Sequence, residues 1–532
     1  MIRYLNHPSV VKFLLGHLLV RHLLQSILIK AKQLRPQLMR ILYLFFMICF
    51  SFSSAHSQNG FTTIYGDHDV NLPLSVKEIG ENYYIATASC DGPFTPDNKA
   101  SIAKMNKFGE IVSEKLFITG ARQYYPIKKI YPLNETEFLL LGSYRENDTS
   151  NSAIWVLKMD TLLNVLWEKK IPVEKKYVER ICYTINDSGN IVMGVTICTD
   201  PPNFNFSILF LEITMEGNVV RIRNEATGSP SYSMIYSLIR KSDGYYAFAD
   251  GFASYMPIPI TSPTQRLDLD DDFNIVNVHT LPMGIDLYMT AHKLNEQTYL
   301  LTGVVYIVGS YHDIGIQKTD TSNTVLASNH SGVPGEFPDY PAWFESMALN
   351  DKNNIYTGGT GYVGMSFTQC NLTYPQVFLL SNYDSLLNCR WTRYYGSDTA
   401  CYYMMTMDAT DDGGCIMAGT ILSPNSNPNQ TDVIIIKVDS EGLITSSNKQ
   451  DTRVMQAMVY PNPGNDYLFV QTGPQNIGAN FMLIDIAGQK LLEQIVNEAT
   501  QQIPTNTLPP GTYFWTLNKG NMLIESGKWI KQ

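Results

Sequence analysis

The sequence contains few of the residues that catalytic and metal sites commonly use. Beyond residue 57 it has five histidines: His68, His279, His292, His312 and His330. It has no Cys-x-x-Cys pair, which removes the usual zinc and thioredoxin signatures. It also has no His-Glu-x-x-His sequence and no Gly-x-Ser-x-Gly sequence, the motifs of zinc proteases and of one large hydrolase class. We therefore predict no catalytic residue, no metal ligand and no cofactor from motifs.

Charge is also scarce and unevenly distributed. Charged residues make up 17% of the 532 residues and hydrophobic residues 44%, which is typical of a folded chain and not of a disordered one. Residues 1–57 contain seven Lys or Arg and no Asp or Glu, so the remainder carries 32 basic (39 − 7) and 49 acidic residues, a net charge of −17. A body this acidic repels phosphate backbones, and we predict no nucleic-acid partner.

The amino-terminal segment has the pattern of a secretory signal peptide. Arg40 precedes an apolar run at 41–50, which is too short for a bilayer span of about 20 residues. Small residues follow and end in Ala55-His56-Ser57. A basic flank, a short apolar run and an Ala-x-Ser ending predict cleavage near Ser57. We expect residues 1–57 to be a signal region and translation to start at Met39.

The cysteines leave the disulfide pattern open. Seven remain after the signal region: Cys90, Cys182, Cys198, Cys370, Cys389, Cys401 and Cys415. Because seven is odd, at least one stays unpaired within a monomer. Close pairs such as Cys182 and Cys198 could form a bridge in an oxidising compartment, and a buried thiol is the alternative for each residue.

The body of the chain is a repeat of about 55 residues. A strand that ends near a small residue recurs seven times, with that residue at positions 88, 142, 194, 249, 303, 358 and 419. A third strand with alternating apolar residues follows each time, at 102–106, 154–160, 208–214, 265–270, 314–320, 377–383 and 433–439. Four short strands per unit are typical of a β-propeller blade. We predict an all-β, seven-bladed β-propeller at 58–445. The alternative is a set of separate β-sandwiches, each of which needs about 100 residues, twice this period.

The repeat also predicts how the propeller closes. The seventh unit lacks an outgoing fourth strand like the one at 391–396. Residues 61–66, near the amino terminus of the body, have that form and the same Tyr-Gly ending. We predict that they pair with the last blade and cover an edge that would otherwise promote aggregation.

The spacing of the repeat ends at a polar linker, 446–452, and a second domain at 453–532 follows. Pro461 and Pro463 favour an extended start. Ala487 and Gly488 predict a turn between two strands, and residues 509–511 predict another turn before an aromatic strand. These signals predict a small antiparallel β domain.

This second domain resembles the carboxy-terminal (type A) sorting domain of type IX secretion substrates of Gram-negative bacteria. Four features in order carry the resemblance: a Tyr-Pro-Asn-Pro start, an Asp-x-x-Gly hairpin, a Gly-Thr-Tyr block and a short basic ending. The residues concerned are Tyr460, Pro461, Asn462, Pro463, Asp485, Gly488, Gly511, Tyr513, Lys528 and Lys531. The resemblance implies an immunoglobulin-like sandwich that directs the cargo from the periplasm across the outer membrane by means of the type IX secretion machinery. It also implies that the domain is then removed and that the cargo is released or joined to surface lipopolysaccharide. An ordinary β-sandwich used for adhesion is the alternative.

Three groups of side chains in the body could serve a ligand. Asp67, His68 and Asp69 could bind a metal, although a solvated turn is the simpler interpretation. The acidic run 268–272 matches three positions of a calcium loop, but Phe273 and His279 stand where Gly and Glu are required, so a polar turn is favoured. Four tyrosines could stack on sugars or pack between blades, and we favour packing: Tyr394, Tyr395, Tyr402 and Tyr403.

The sequence supports two functional hypotheses. The first is a secreted or surface protein whose propeller is a non-catalytic platform that binds a glycan or a protein. The second is a secreted hydrolase or lyase that acts on extracellular glycan or protein. A His with acids near the propeller axis would favour the enzyme, and a flat Tyr-rich or apolar face would favour binding. The body also loosely resembles secreted β-propeller repeat proteins, a resemblance that implies no activity.

Overall fold

The structure is a computed structural model, and its described residues all lie in one compact unit, Asn59–Gln532. The described ranges are 60–66, 70–90, 99–118, 127–145, 152–173, 177–198, 206–225, 234–250, 264–281, 285, 287–306, 312–332, 338–362, 370, 372–373, 375–423, 431–444, 453–455, 457–486, 488–520 and 522–532. The predicted signal region therefore lies outside the described residues. The described part of the chain contains no helix that is long and apolar enough to span a membrane.

Seven antiparallel sheets account for most of the strands of the body. Strand β1 (Phe61–Tyr65) comes first in the chain. In chain order, sheet 1 is β2 (Val70–Ile79), β3 (Asn82–Cys90), β4 (Lys99–Asn106) and β5 (Ile111–Ile118); sheet 2 is β6 (Ile127–Pro132), β7 (Glu137–Arg145), β8 (Ser152–Asp160) and β9 (Val165–Val173); sheet 3 is β10 (Tyr177–Ile185), β11 (Ile191–Cys198), β12 (Phe206–Ile213) and β13 (Val219–Glu225); sheet 4 is β14 (Met234–Lys241), β15 (Gly244–Asp250), β16 (Gln265–Leu269) and β17 (Ile275–Thr280).

The remaining three sheets of the body repeat this order. Sheet 5 is β18 (Leu287–Asn295), β19 (Thr298–Val305), β20 (Asp313–Asp320) and β21 (Val325–Ser331); sheet 6 is β22 (Tyr340–Pro341), β23 (Met347–Asp351), β24 (Asn354–Gly361), β25 (Val377–Tyr383) and β26 (Cys389–Gly396); sheet 7 is β27 (Cys401–Ala409), β28 (Cys415–Leu422) and β29 (Asp432–Val438), joined by β1. Each predicted third strand lies within or largely overlaps the third strand of its sheet, which in sheet 6 is β25 because β22 and β23 together form the first strand.

Burial explains why these segments form strands in this order. Every residue of β11 and β12, the two middle strands of sheet 3, is buried, because sheets pack on both of their faces. The fourth strand of sheet 5, β21, largely alternates between exposed and partly buried residues, since one of its faces meets solvent. The apolar core is therefore divided among the interfaces between neighbouring sheets, as in a β-propeller.

The sheets form a closed ring. Each packs against the next in sequence, and sheet 7 packs against sheet 1 through β27 and β2. Strand β1 pairs antiparallel with β29, in a register that runs from Phe61 opposite Lys437 to Tyr65 opposite Val433. The predicted pairing of this strand with the last sheet is confirmed. The Phe61 side chain is 1% exposed and its ring lies 5.8 Å from that of Tyr83 in sheet 1, so β1 also contributes to the junction between the first and last sheets.

The same tight turn joins the third and fourth strands of most sheets. In sheet 4 the Asp270 carboxylate accepts hydrogen bonds from the backbone N–H groups of Asp272 (3.0 Å) and Asn274 (2.7 Å). Phe273 adopts a φ of 64°, a conformation that costs a bulky residue energy and is compensated by its complete burial. The acidic run at 268–272 is thus a turn former, as the favoured interpretation predicted.

The carboxy-terminal residues form a β-sandwich, called the tail domain below (residues 457–532). One sheet contains β31 (Ala457–Tyr460), β32 (Tyr467–Thr472) and β35 (Thr500–Pro504); the other contains β33 (Asn480–Ile484), β34 (Lys490–Ile495), β36 (Gly511–Lys519) and β37 (Met522–Lys531), and a short 3-10 helix spans Pro474–Asn476. Their apolar faces enclose a core that includes Leu468, Phe481, Trp515 and Trp529. Strand β30 (Arg453–Met455) precedes the tail domain and pairs with β26 of sheet 6.

Candidate functional site

The innermost strands of the ring carry an extra residue that turns polar side chains toward the axis. The register of these strands shifts at one residue in six of the seven sheets, and those residues are Leu74, Lys128, Glu179, Tyr236, Met289 and Met405. Such a β-bulge bends a strand and redirects its side chains. Lys77, His292 and Asp408 each stand three positions after the bulge in their own strand, so three different sheets place them at the same level of the ring.

Sheet 6 replaces the single bulged residue by a five-residue loop, residues 342–346. The loop lies between β22 and β23 and stands opposite one residue of β24, Gly358. Gly358 accepts a hydrogen bond from Ala342 N–H (3.0 Å) and donates one to Ser346 C=O (3.0 Å). The loop is therefore pinned at both ends, and its three central residues, Trp343, Phe344 and Glu345, project from the strand.

Three other sheets hold this axial loop (residues 342–346) in place. Arg180 of sheet 3 donates to the Trp343 carbonyl at 2.9 Å, and Lys129 of sheet 2 donates to the Phe344 carbonyl at 2.9 Å. The Phe344 N–H donates to the carbonyl of Met405 in sheet 7 at 2.8 Å. Because these partners lie on sheets 2, 3 and 7, the axial loop spans the centre of the ring and links sheet 6 to three other sheets. Its backbone is rigidly positioned, while the Trp343 side chain remains 44% exposed.

Glu345 of the axial loop and four side chains of the surrounding innermost strands form a cluster of titratable groups, the axial cluster: Lys77, Lys129, His292, Glu345 and Asp408. Lys77 Nζ contacts Asp408 Oδ1 at 2.7 Å, and Lys129 Nζ forms a close ion pair with Glu345. His292 Nε2 lies 3.8 Å from the other oxygen of Glu345. The four charged side chains are 14–18% exposed, so water screens them only weakly. Two lysines and two carboxylates leave the cluster electrically balanced.

Electrostatics favours the charged form of one member of each ion pair, Glu345 and Lys77. Burial by itself would raise the pKa of Glu345, but Lys129 and Lys77 outweigh it and hold the pKa at about 2. Burial would lower the pKa of Lys77, but Asp408 and Glu345 outweigh it and raise the pKa well above its ordinary value. At neutral pH Glu345 is therefore an anion and Lys77 a cation. A carboxylate with such a low pKa cannot serve as a general acid near pH 7.

His292 is the neutral member of the axial cluster. About a third of its side chain (38%) is exposed to the axial space, yet the residue lies deep in the ring and desolvation lowers its pKa. The imidazole is therefore uncharged at pH 7. It lies beside an anionic carboxylate and could accept a proton, so its chemistry fits either a structural contact or a weak general base. Among the described residues no group of three His, Cys, Asp or Glu side chains has the geometry of a metal site.

The structure separates the residues that the sequence analysis singled out. Tyr394, Tyr395 and Tyr402 are at most 1% exposed, so they pack between sheets and cannot stack on a ligand. Tyr403 is partly buried against the cluster that holds Met405. Asp67, His68 and Asp69 lie outside the described residues.

Of the two alternatives left open for Cys182 and Cys198, the buried thiol is the one observed, because neither forms a disulfide. Gly194, which stands opposite Cys182, is four positions from Cys198 on the neighbouring strand, so the two sulfur atoms are not adjacent. The disulfide instead joins Cys370 to Cys401 and ties the segment after β24 to the first strand of sheet 7.

In the tail domain the two ends of the sorting motif meet in space. Trp529 Nε1 donates to the Pro461 carbonyl (2.7 Å), and Asn462 Nδ2 donates to the Lys528 carbonyl (2.7 Å). Asn462 Oδ1 in turn accepts from the N–H of Ile530 (2.9 Å). Segments 68 positions apart in sequence therefore form one clasp.

The other motif residues lie at turns or in the core of the tail domain. Asp485 accepts the N–H of Gln489 (2.8 Å) in a turn where Gly488 has a φ of 83°, a conformation that favours glycine. Gly511 begins β36, and Tyr513 is buried two residues later. Lys528 is exposed, whereas Lys531 is 8% exposed and donates to the Thr505 carbonyl at 2.6 Å. The motif thus contains both exposed and buried residues.

The comparisons with known proteins concern the tail domain and the ring separately. Residues 458–532 match the family model of the secretion system C-terminal sorting domain. No curated protein matches the chain. Among solved structures, an apocarotenoid oxygenase variant from Synechocystis shares 9% identity at a TM-score of 0.32, covering 50% of this chain and 62% of that one. An α-L-arabinanase mutant from Cellvibrio cellulosa shares 12% identity at a TM-score of 0.29, covering 50% of this chain and 96% of that one. Likeness at this level transfers no activity to the chain.

The family match, the clasp at the sorting motif and the sandwich fold agree on the role of the tail domain. Residues 458–532 are a carboxy-terminal secretion sorting domain. The chain is thus a type IX secretion substrate of a Gram-negative bacterium, exported to the cell surface or the medium, and its fold is an all-β propeller followed by a small β-sandwich.

Proposed function

We propose that the ring is a non-catalytic binding platform for an extracellular glycan or protein, and that Trp343 is the anchor of its ligand site. The observation that carries this proposal is an exposed aromatic side chain on a backbone that three other sheets hold fixed. Aromatic side chains on rigid supports dominate many binding surfaces, because they offer a large contact area and lose little conformational freedom on binding.

The position of Trp343 in the ring supports this role. In each sheet the second strand ends and the third strand begins on one face of the ring, and eight residues separate Cys90 from Lys99 while fourteen separate Asp250 from Gln265. Among the described residues, the short turns within each sheet lie on the opposite face. Trp343 follows the start of the innermost strand of sheet 6, in the half nearer the face with long connections. Ligand sites of ring-shaped β proteins form where variable loops surround a fixed scaffold.

Charge restricts the class of ligand. The axial cluster is balanced, and the chain beyond residue 57 has a net charge of −17. A polyanionic ligand is therefore repelled by the body as a whole, and a neutral or basic partner is favoured.

Binding to arrays of glycans and of extracellular proteins tests the proposal. Trp343→Ala should weaken binding to the best array ligand at least tenfold, because it removes the anchor and leaves the ring intact. Phe108→Ala is the matched control, since Phe108 is an aromatic residue that is 64% exposed in a turn on the opposite face. Equal binding by the wild type and by the Trp343 variant would contradict the assignment.

A second candidate is a hydrolase or lyase, and the criterion of a His with acids near the axis favours it, because His292 lies 3.8 Å from Glu345 and close to Asp408. The low pKa of Glu345 argues against it as an acid, but a neutral His292 could act as a base. Turnover of an array ligand by the wild type, abolished in His292→Ala and retained in Trp343→Ala, would establish the enzyme and refute the binding platform.

We further propose that the secretion machinery recognises the clasp at the exposed side chain of Lys528, beside the partly buried Asn462. Lys528→Ala should leave protein in the periplasm without changing the melting temperature of the purified protein. Lys531→Ala is the comparison, since loss of its buried bond to Thr505 should lower the melting temperature. Normal export of the Lys528 variant would contradict this part of the proposal.

A further inference from the structure

The segment that directly precedes the tail domain is part of a sheet of the ring. Strand β30 pairs antiparallel with β26, with Val454 opposite Tyr395 and Met455 opposite Tyr394. It therefore occupies the outer edge of sheet 6, which no other strand of the described chain covers. Only one residue separates β30 from β31, the first strand of the tail domain. The tail domain cannot turn away from the ring unless β30 separates from β26.

Side chains of the ring and the tail domain also share one apolar cluster. Tyr460 and Phe469 of the tail domain stack with ring centroids 5.4 Å apart. The aromatic ring of Tyr460 also packs edge-on against that of Tyr362, which follows β24 of sheet 6, with centroids 5.9 Å apart. The cluster is completed by buried residues of sheets 5 and 6: Ile314, Val377, Leu379 and Tyr394. Tyr460, the first residue of the sorting motif, is thus an anchor in the body of the cargo.

Two glutamines of the tail domain add directed polar contacts. Gln471, which is 3% exposed, donates to the Tyr394 hydroxyl at 2.9 Å and also contacts the Gly332 carbonyl. Gln475 donates to the Thr392 carbonyl at 3.5 Å. A hydrogen bond between protein groups makes a modest net contribution even though water solvates the separated groups, so these bonds favour the docked arrangement of the two domains.

We propose that these contacts form a non-covalent clamp, so that a cut in the connecting segment leaves the sorting domain bound to the ring. Cleavage and release of the sorting domain are then two separate events, and the second requires β30 to leave sheet 6. The apolar cluster, the added strand and the buried amide act together, as in stable interfaces between domains. The clamp contains no residue of the ligand site proposed at Trp343, so the two proposals are tested independently.

The test uses the full chain with a specific protease sequence in place of residues 446–452. After native cleavage, the two pieces should elute together in size-exclusion chromatography at the mass of the uncut chain, at micromolar concentration. The double variant Val454→Pro/Gln471→Ala removes a backbone donor from β30 and the amide at the interface. It should raise the fraction of free tail domain at least tenfold.

Phe514→Ala is the matched control, since Phe514 is a tail-domain aromatic residue that is 44% exposed and outside the shared cluster. It should leave the pieces together. Separation of the wild-type pieces into two peaks would overturn the clamp. Co-elution of both the wild type and the double variant would overturn its assignment to β30 and Gln471. A melting curve of each uncut variant shows that the ring and the tail domain are folded before cleavage.

Discussion

Closure of the ring by β1 predicts an unusually large effect for one substitution near the amino terminus of the body. Phe61 is 1% exposed and lies in a cluster with Val76, Tyr83 and Val433, so it joins the first and last sheets. A buried phenylalanine removes about 150–200 Å² of apolar surface from water. At about 25 cal/mol per Å² this burial contributes roughly 4–5 kcal/mol, of which alanine retains a small part.

Phe61→Ala should therefore lower the free energy of unfolding by about 3–5 kcal/mol. Ile64 is the control on the same strand, because its side chain is 39% exposed, and Ile64→Ala should cost less than about 1 kcal/mol. Urea unfolding at pH 7, followed by tryptophan fluorescence, measures both variants. Equal losses for the two variants, or a loss below about 1 kcal/mol for Phe61→Ala, would refute the closure.

Two further predictions concern the axis and the disulfide. Because the pKa of Glu345 is lowered from its usual value near 4.3 to about 2, its ionised form adds roughly 3 kcal/mol of stability above about pH 5, and this is lost as the pH falls to 2. Glu345→Gln should reduce the loss of unfolding free energy that the wild type shows between about pH 5 and pH 2. Equal losses for the variant and the wild type would contradict the ion pair. The Cys370–Cys401 disulfide closes a loop with a sequence separation of 31, so replacing both by serine should cost up to about 3–4 kcal/mol. A reductant should lower the unfolding midpoint of the wild type to that of the double-serine variant and leave the midpoint of the variant unchanged. A wild-type midpoint that the reductant does not change would contradict the bridge.

The sequence was sufficient for the fold because its signal is local. The third strands are short apolar runs, such as the one that became β29 (Asp432–Val438), and they recur at a nearly constant spacing. Turn-forming residues such as Asp270 and Gly442 mark where each of these strands ends. Even the closure could be predicted, since residues 61–66 repeat the form of a fourth strand that the seventh unit lacks.

The axial site could not be predicted, because its residues meet only after the ring closes. Lys77 and Asp408 are 331 positions apart, and Lys129 and Glu345 are 216 positions apart. Lys77, Lys129 and Asp408 lie on innermost strands, where a single bulged residue sets the direction of the side chain and leaves no recognisable pattern in the sequence. Glu345 lies in the axial loop. The signal that could have been used is the five-residue loop at 342–346, which interrupts the sixth unit where the other units have one extra residue.

Hydrogen exchange of the peptide that contains β1 tests the closed ring most directly. The account predicts that the amides of residues 61–65 bonded to β29 exchange as slowly as those in the middle strands, and that Phe61→Ala accelerates exchange in both β1 and β29. Complete exchange of residues 61–65 within seconds in the wild type, while β28 and β29 stay protected, would show that β1 is not part of the seventh sheet.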